Sequence, residues 1–71
     1  LDDVERLEVP PDLAEAFAAR PPAAQEWEAF PRSAKRGILE WIKTAKRDET
    51  RARRIADTAQ KAALGQRANG A

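Results

Sequence analysis

The side chains with the most chemistry to offer lie in TAKRDETRARRI, residues 44–55. Lys46, Arg47, Arg51, Arg53 and Arg54 place five cations in twelve positions, interrupted by Asp48 and Glu49. Ammonium and guanidinium groups gathered this closely can hold a phosphate or a carboxylate through charge-assisted hydrogen bonds. Thr50 stands among them near the expected start of a helix, where free N–H groups and the helix dipole favour an anion. Lys46, Thr50, Arg51 and Arg54 are therefore the candidate anion- or partner-binding set. Thr50 would cap the helix or touch the anion, with Lys46 and the two arginines around it. Helical spacing also lines up Arg51, Arg54, Thr58 and Lys61 as one stripe.

The same cations could instead hold the protein together. The chain has 71 residues and a net charge of +1, but the charge is segregated. Residues 1–30 carry eight acidic and two basic side chains, whereas residues 31–54 carry nine basic and three acidic ones. The acidic half can pack against the basic half. Arg51 and Arg54 would then pair with acids of the first two helices or bond carbonyls at helix ends. Local pairs such as Glu49 with Arg53, and Asp57 with its basic neighbours, contribute only about 0.3 kcal/mol each and cannot explain the surplus. Balanced halves favour the internal use. A free-standing nucleic-acid module would be more basic than this sequence, whose pI is about 8.4.

Much chemistry is excluded by composition. There is no Cys and no His, so disulfides, thiolate zinc sites and the base that activates a Ser or Cys nucleophile are all missing. Ser33 sits where a helix N-cap belongs. The carboxylates lie on the lead-in or on helix faces with no sign of a pocket. The DDVE start lacks the spacing of a calcium loop, and no glycine-rich phosphate loop occurs. We expect no enzymatic activity, no catalytic residue, no metal and no cofactor. No apolar run approaches the ~20 residues of a membrane span. The basic helix shows mostly alanine where interfacial helices show Trp, Phe or Leu. LDDVERLEV has no signal-peptide pattern and no initiator Met. We expect a piece of a longer, cytoplasmic protein, monomeric when isolated.

Helices must position these groups. Pro10 and Pro11 end an extended lead-in and open a first helix with Leu13, Ala16 and Phe17 on its apolar stripe and Arg20 near its end. Pro22 opens a second, with Ala23, Trp27 and Phe30, which Pro31 ends. Ser33 caps a third, with Ala34, Ile38, Leu39, Trp41, Ile42 and Ala45. Asp48 or Thr50 caps a fourth, with Ala52, Ile55, Ala56, Ala59, Ala63 and Leu64, ending at Gly65 in the left-handed conformation. Both tryptophans fall in phase with core positions. The expected fold is all-α, a small compact domain of three to four short helices. It divides into a lead-in over residues 1–9, a helical domain over 10–65 and a disordered tail over 66–71.

The segments VPPDLAEAF, AAQEWEAF, KRGILEWIKTAKRDETRARRIAD and ALGQR resemble the bacteriocin-protection, YdeI/OmpD-associated family of bacterial proteins. The resemblance runs from about Val9 to Arg67. Its most specific part is the pattern AK-x-x-x-TR-x-x-RI, met by Ala45, Lys46, Thr50, Arg51, Arg54 and Ile55, preceded by the Trp41–Ile42 pair. The resemblance implies an all-helical module, often placed behind a β-rich domain, with a part in tolerance of bacteriocins or antimicrobial peptides. It implies no established catalytic residue, cofactor or ligand.

These readings converge on a non-enzymatic helical interaction domain with a protein or peptide partner. A cationic peptide would prefer the acidic face of the first two helices, with Asp12, Glu15, Glu26 and Glu28. Two alternatives stand beside it. One is a nucleic-acid-binding module using Arg32, Lys35, Arg36, Lys43, Lys46, Arg47, Arg51 and Arg54 on phosphates. The other is a structural accessory domain of a larger protein.

Overall fold

Proline sets three of the four helix starts. The computed structural model describes residues 7–68, and these form four α-helices with no strand among the described residues. Helix α1 is Pro11–Ala18 and α2 is Pro21–Ala29; α3 is Arg32–Lys43 and α4 is Asp48–Ala63. Pro11 and Pro21 are the first residues of their helices, and Pro31 is the N-cap of α3. In a first turn the missing N–H costs nothing and the fixed φ is already helical. None of these helix starts carries a side-chain cap.

Two expected caps therefore differ from the structure. Ser33 lies inside the first turn of α3, because Pro31 holds the extended conformation that an N-cap requires and Lys35 N–H bonds its carbonyl. In α4 the N-cap is Arg47, so Asp48 and Thr50 are already helical, one and three positions in. Asp48 and Glu49 still suit the positive end of the dipole. The end of α4 is as expected. Gly65 takes φ +74°, its N–H donates to Ala62 O, and Gln66 N–H reaches back to Lys61 O. This pair of bonds is the Schellman arrangement, which ties off the last carbonyls.

Helix α4 is the element against which α1, α2 and α3 all pack. The core takes Leu13 and Phe17 from α1, Ala23 and Trp27 from α2, Ile38, Leu39 and Ile42 from α3, and Ile55, Ala59 and Ala62 from α4. Trp27 is 2% exposed. Its ring lies 5.4 Å from that of Phe17 and 5.9 Å from that of Phe30, both tilted, the geometry aromatic quadrupoles favour. Phe30 sits just beyond α2 as its C-cap, and still packs against the core. Trp41 is half-buried and also packs against it. The Cα radius of gyration, 10.8 Å, matches the ~11 Å of one packed domain of this length.

The phase of α4 differs from expectation. Ala52 and Ala56 are exposed, and Leu64 is 68% exposed. The buried set is Ile55, Thr58, Ala59 and Ala62. Thr58 enters the core because its hydroxyl donates to Arg54 O at 2.7 Å, so no polar atom is left unsatisfied. Helix α3 stops at Lys43, which leaves Ala45 half-buried in the connection instead of on a helix face. Arg20 is the exposed N-cap of α2 and not part of the first helix. Leu7 and Val9 of the lead-in pack against the core. At the other end Ala68, placed by sequence in the tail, is a core residue at 1% exposure. The rest of the expected lead-in, 1–6, and of the tail, 69–71, lies outside the described residues.

Candidate partner-binding site

Helix α4 points its first two turns of cations at two different neighbours. Arg51 turns towards the start of α1, where Asp12 follows Pro11. Arg51 Nε donates to Asp12 Oδ2 at 2.7 Å and Nη2 donates to Oδ1 at 3.1 Å. Oδ1 also accepts from Leu13 N–H at 3.0 Å. This two-bond fork spans 39 residues of sequence and fixes both the distance and the rotation of the two planar groups. The hydrogen bonds from Arg51 hold the Asp12 carboxyl below its ordinary value of 3.8, against the opposing effect of burial. The same contact raises the Arg51 guanidinium.

Arg54, one turn further on, turns the other way and closes the end of α3. Its Nη1 donates to Trp41 O at 2.7 Å and to Thr44 Oγ1 at 3.2 Å. Thr44 Oγ1 donates in turn to Trp41 O at 2.9 Å. Trp41 O belongs to the last turn of α3, where carbonyls lose their helical partners. The guanidinium also lies 5.1 Å from the centroid of the Trp41 ring, within the range of a cation–π contact.

The expected internal use of Arg51 and Arg54 is thus what the structure contains: one pairs with an acid of α1 and the other bonds a carbonyl at a helix end. Of the other two candidates, Lys46 is exposed in the α3–α4 connection and Thr50 is half-buried in the first turn of α4. The four are neighbours in sequence, but the two arginines have separate partners. Glu49 lies 3.8 Å from Arg47 instead of pairing with Arg53, and both partners are well exposed. Asp57 pairs with Lys61 at 3.4 Å, one turn along α4. Arg32, Arg36 and Arg67 also have intramolecular partners.

The Asp12–Arg51 fork has a pH signature. A depressed carboxyl contributes stability that is present above its unfolded value and is lost as pH falls through the folded value, which lies below 3.8. Asp12→Asn should therefore flatten the loss of stability below about pH 4, measured by urea denaturation across the acid range. Asp12 is 47% and Arg51 32% exposed at the side chain, so solvent screens the pair. A double-mutant cycle with Arg51→Ala should read a coupling of about 0.5–1 kcal/mol.

Beside the fork opens a cleft of about 350 Å³. Its floor is apolar, formed by Val9, Pro10, Leu39 and Ile42, and Glu8, Lys43 and Arg51 stand at its edge. A shallower groove of about 290 Å³ runs between α1 and α2 over Phe17 and Trp27, with Glu28 at its rim. Val9 borders both. Sequence inspection missed this surface. Leu39 and Lys43 lie one turn apart on α3, but Glu8 shares no spacing with them, and only the packing of the lead-in beside α3 brings the three together. Among the described residues no group of three acidic side chains converges as a metal site, and no helix is long and apolar enough to cross a membrane.

A family model described as bacteriocin-protection, YdeI or OmpD-associated matches residues 6–65. No curated protein and no solved structure matches the chain.

Proposed function

The chain belongs to the bacteriocin-protection, YdeI or OmpD-associated family, and from that premise we propose that it is a non-enzymatic interaction domain that binds a cationic peptide or a protein segment of that character. The reading places it in the bacterial cytoplasm, as a monomer when isolated, acting in tolerance of bacteriocins or antimicrobial peptides.

One observation carries this reading: most of the arginines of the basic segment have partners within the chain, while three of the four acids of α1 and α2 stay unpaired at the surface, only Asp12 being taken by Arg51. Of the eight basic side chains that a phosphate-binding surface would use, Arg32, Arg36, Arg47, Arg51 and Arg54 have partners within the chain. Glu15, Glu26 and Glu28 are exposed and have no ion-pair partner among the described residues. Glu28 also edges the apolar α1–α2 groove. An apolar groove with an acidic rim complements a peptide that mixes apolar and cationic side chains. Lys35, Lys43 and Lys46, with the exposed Arg53, are what remains for nucleic acid. So few phosphate contacts would support only weak binding, which added salt weakens further.

The test is a backbone-amide NMR titration with a short peptide of alternating lysines and leucines and, separately, a short DNA duplex. Both are run at about 50 mM and 200 mM salt. The peptide should shift Val9, Glu15, Trp27 and Glu28 at both salt concentrations, and the duplex should shift nothing at the higher one. Shifts confined to residues 43–54 with the duplex, and none with the peptide, would overturn the reading in favour of nucleic acid.

A further inference from the structure

We propose that the cleft between the lead-in, α3 and α4 receives the C-terminal residue of a peptide, with its α-carboxylate between Lys43 and Arg51 and its apolar side chain on the floor. This rests on the peptide-binding reading above and adds, beside the α1–α2 groove, a second site for one end of the peptide.

The volume comes first. About 350 Å³ lies at the small end of ligand pockets, which run from ~300 to ~1,000 Å³. It has room for one large residue and its backbone. A helix, ~10 Å across with its side chains, does not fit.

The lining then selects the chemistry. Val9, Pro10, Leu39 and Ile42 offer no polar side chain, so the body of the ligand is apolar. Two cations stand over that floor. Lys43 is the exposed last residue of α3 and has no ion-pair partner among the described residues. Arg51 gives Nε and Nη2 to Asp12. Its Nη1 makes no hydrogen bond among the described residues. The Asp12 fork already immobilises the guanidinium, so an incoming anion meets a donor whose ordering is complete. Glu8 stands at the same edge. It repels a second carboxylate and attracts the N–H groups or a cationic side chain of the preceding residue.

An apolar side chain and an anion must therefore enter one small cleft together. In a peptide both diverge from a single Cα only at the C-terminal residue. A phosphate or a nucleic acid would leave the apolar floor uncovered. The side-chain carboxylate of an internal Asp or Glu brings no apolar group from the same residue.

The probe is acetyl-lysyl-leucine with a free C-terminus, set against the same dipeptide as its C-terminal amide. Titrated into the labelled domain, the free acid should shift the amides of Val9, Leu39, Lys43 and Arg51 saturably. The amide should bind about tenfold more weakly, the loss expected when a charge-assisted contact is removed. Lys43→Ala, an exposed substitution whose folding the same spectrum checks, should weaken the acid by about the same factor and leave the amide unchanged. Equal responses to acid and amide, while the lysine–leucine peptide still shifts the α1–α2 groove, would overturn the cleft assignment and leave the peptide-binding reading standing. No shift with any of the three probes would overturn both.

Discussion

Trp27→Ala should leave the domain largely unfolded at room temperature. Trp27 is 2% exposed and is the largest fully enclosed side chain. It touches Phe17 of α1 and Phe30 after α2, so its ring joins the first two helices over the inner face of α4. Truncating a buried Trp costs about 3–5 kcal/mol, the lost transfer free energy plus the cavity left behind. A domain this small has only about 3–5 kcal/mol to lose. Far-UV circular dichroism and urea denaturation would show a loss of cooperative unfolding. Trp27→Phe keeps an aromatic ring in the cluster and should still fold, with a lower midpoint. A wild-type midpoint for Trp27→Ala would mean that the aromatic cluster is not the centre of the core.

Arg54→Ala has the second-largest expected effect, a loss of about 2–3 kcal/mol. Three contacts go at once: the bond to Trp41 O, the bond to Thr44 Oγ1 and the stack on the Trp41 ring. A hydrogen bond from a charged donor contributes about 1.5–3 kcal/mol and a partly exposed cation–π contact about 0.5–1 kcal/mol. These terms overlap, so they do not sum in full. The Trp41 carbonyl keeps Thr44 as a partner, which limits the loss. Arg54→Lys should recover less than half of it, because an ammonium has no flat face to lay on the ring and sits as a compact charge on a more flexible stem. Urea midpoints give the stabilities, and near-UV circular dichroism of the tryptophans reports whether the end of α3 has loosened. The effect should exceed that of Arg51→Ala, whose contact is more exposed and joins only two side chains. If Arg54→Ala keeps the wild-type midpoint, Arg54 is not what closes α3 onto α4.

The two arginines show how far local reading reaches. That a surplus of bases beside a surplus of acids would be used internally follows from counting charges, and the alternatives of an acid on the first two helices or a carbonyl at a helix end include both real partners. Which arginine takes which partner does not follow. Asp12 and Trp41 O lie 39 and 13 residues away from the side chains they meet. The spacing of Lys46, Thr50, Arg51 and Arg54 points to one shared site, but residues three apart on a helix diverge when different neighbours attract them. The cleft was invisible for the same reason: its walls come from the lead-in, α3 and α4.

Sequence by itself determined that prolines open the first two helices and that Gly65 ends the last one. Proline fixes its own φ and glycine takes a left-handed turn without strain, so one residue suffices for each event. It determined the all-α class through apolar spacing, and the missing imidazole and thiol chemistry through composition. The family pattern was also legible, since it is a matter of residue types in order. Tertiary structure alone decided which face of α4 turns inward. That helix is rich in alanine, and alanines around most of its circumference give little contrast between a face that is buried and one that is not. Ala52 and Ala56 face solvent while Ala59 and Ala62 are buried, because Leu13, Trp27 and Ile38 from three other helices set the position of the core. The partners of Arg51 and Arg54 follow from that rotation, and so does the surface left open beside Lys43.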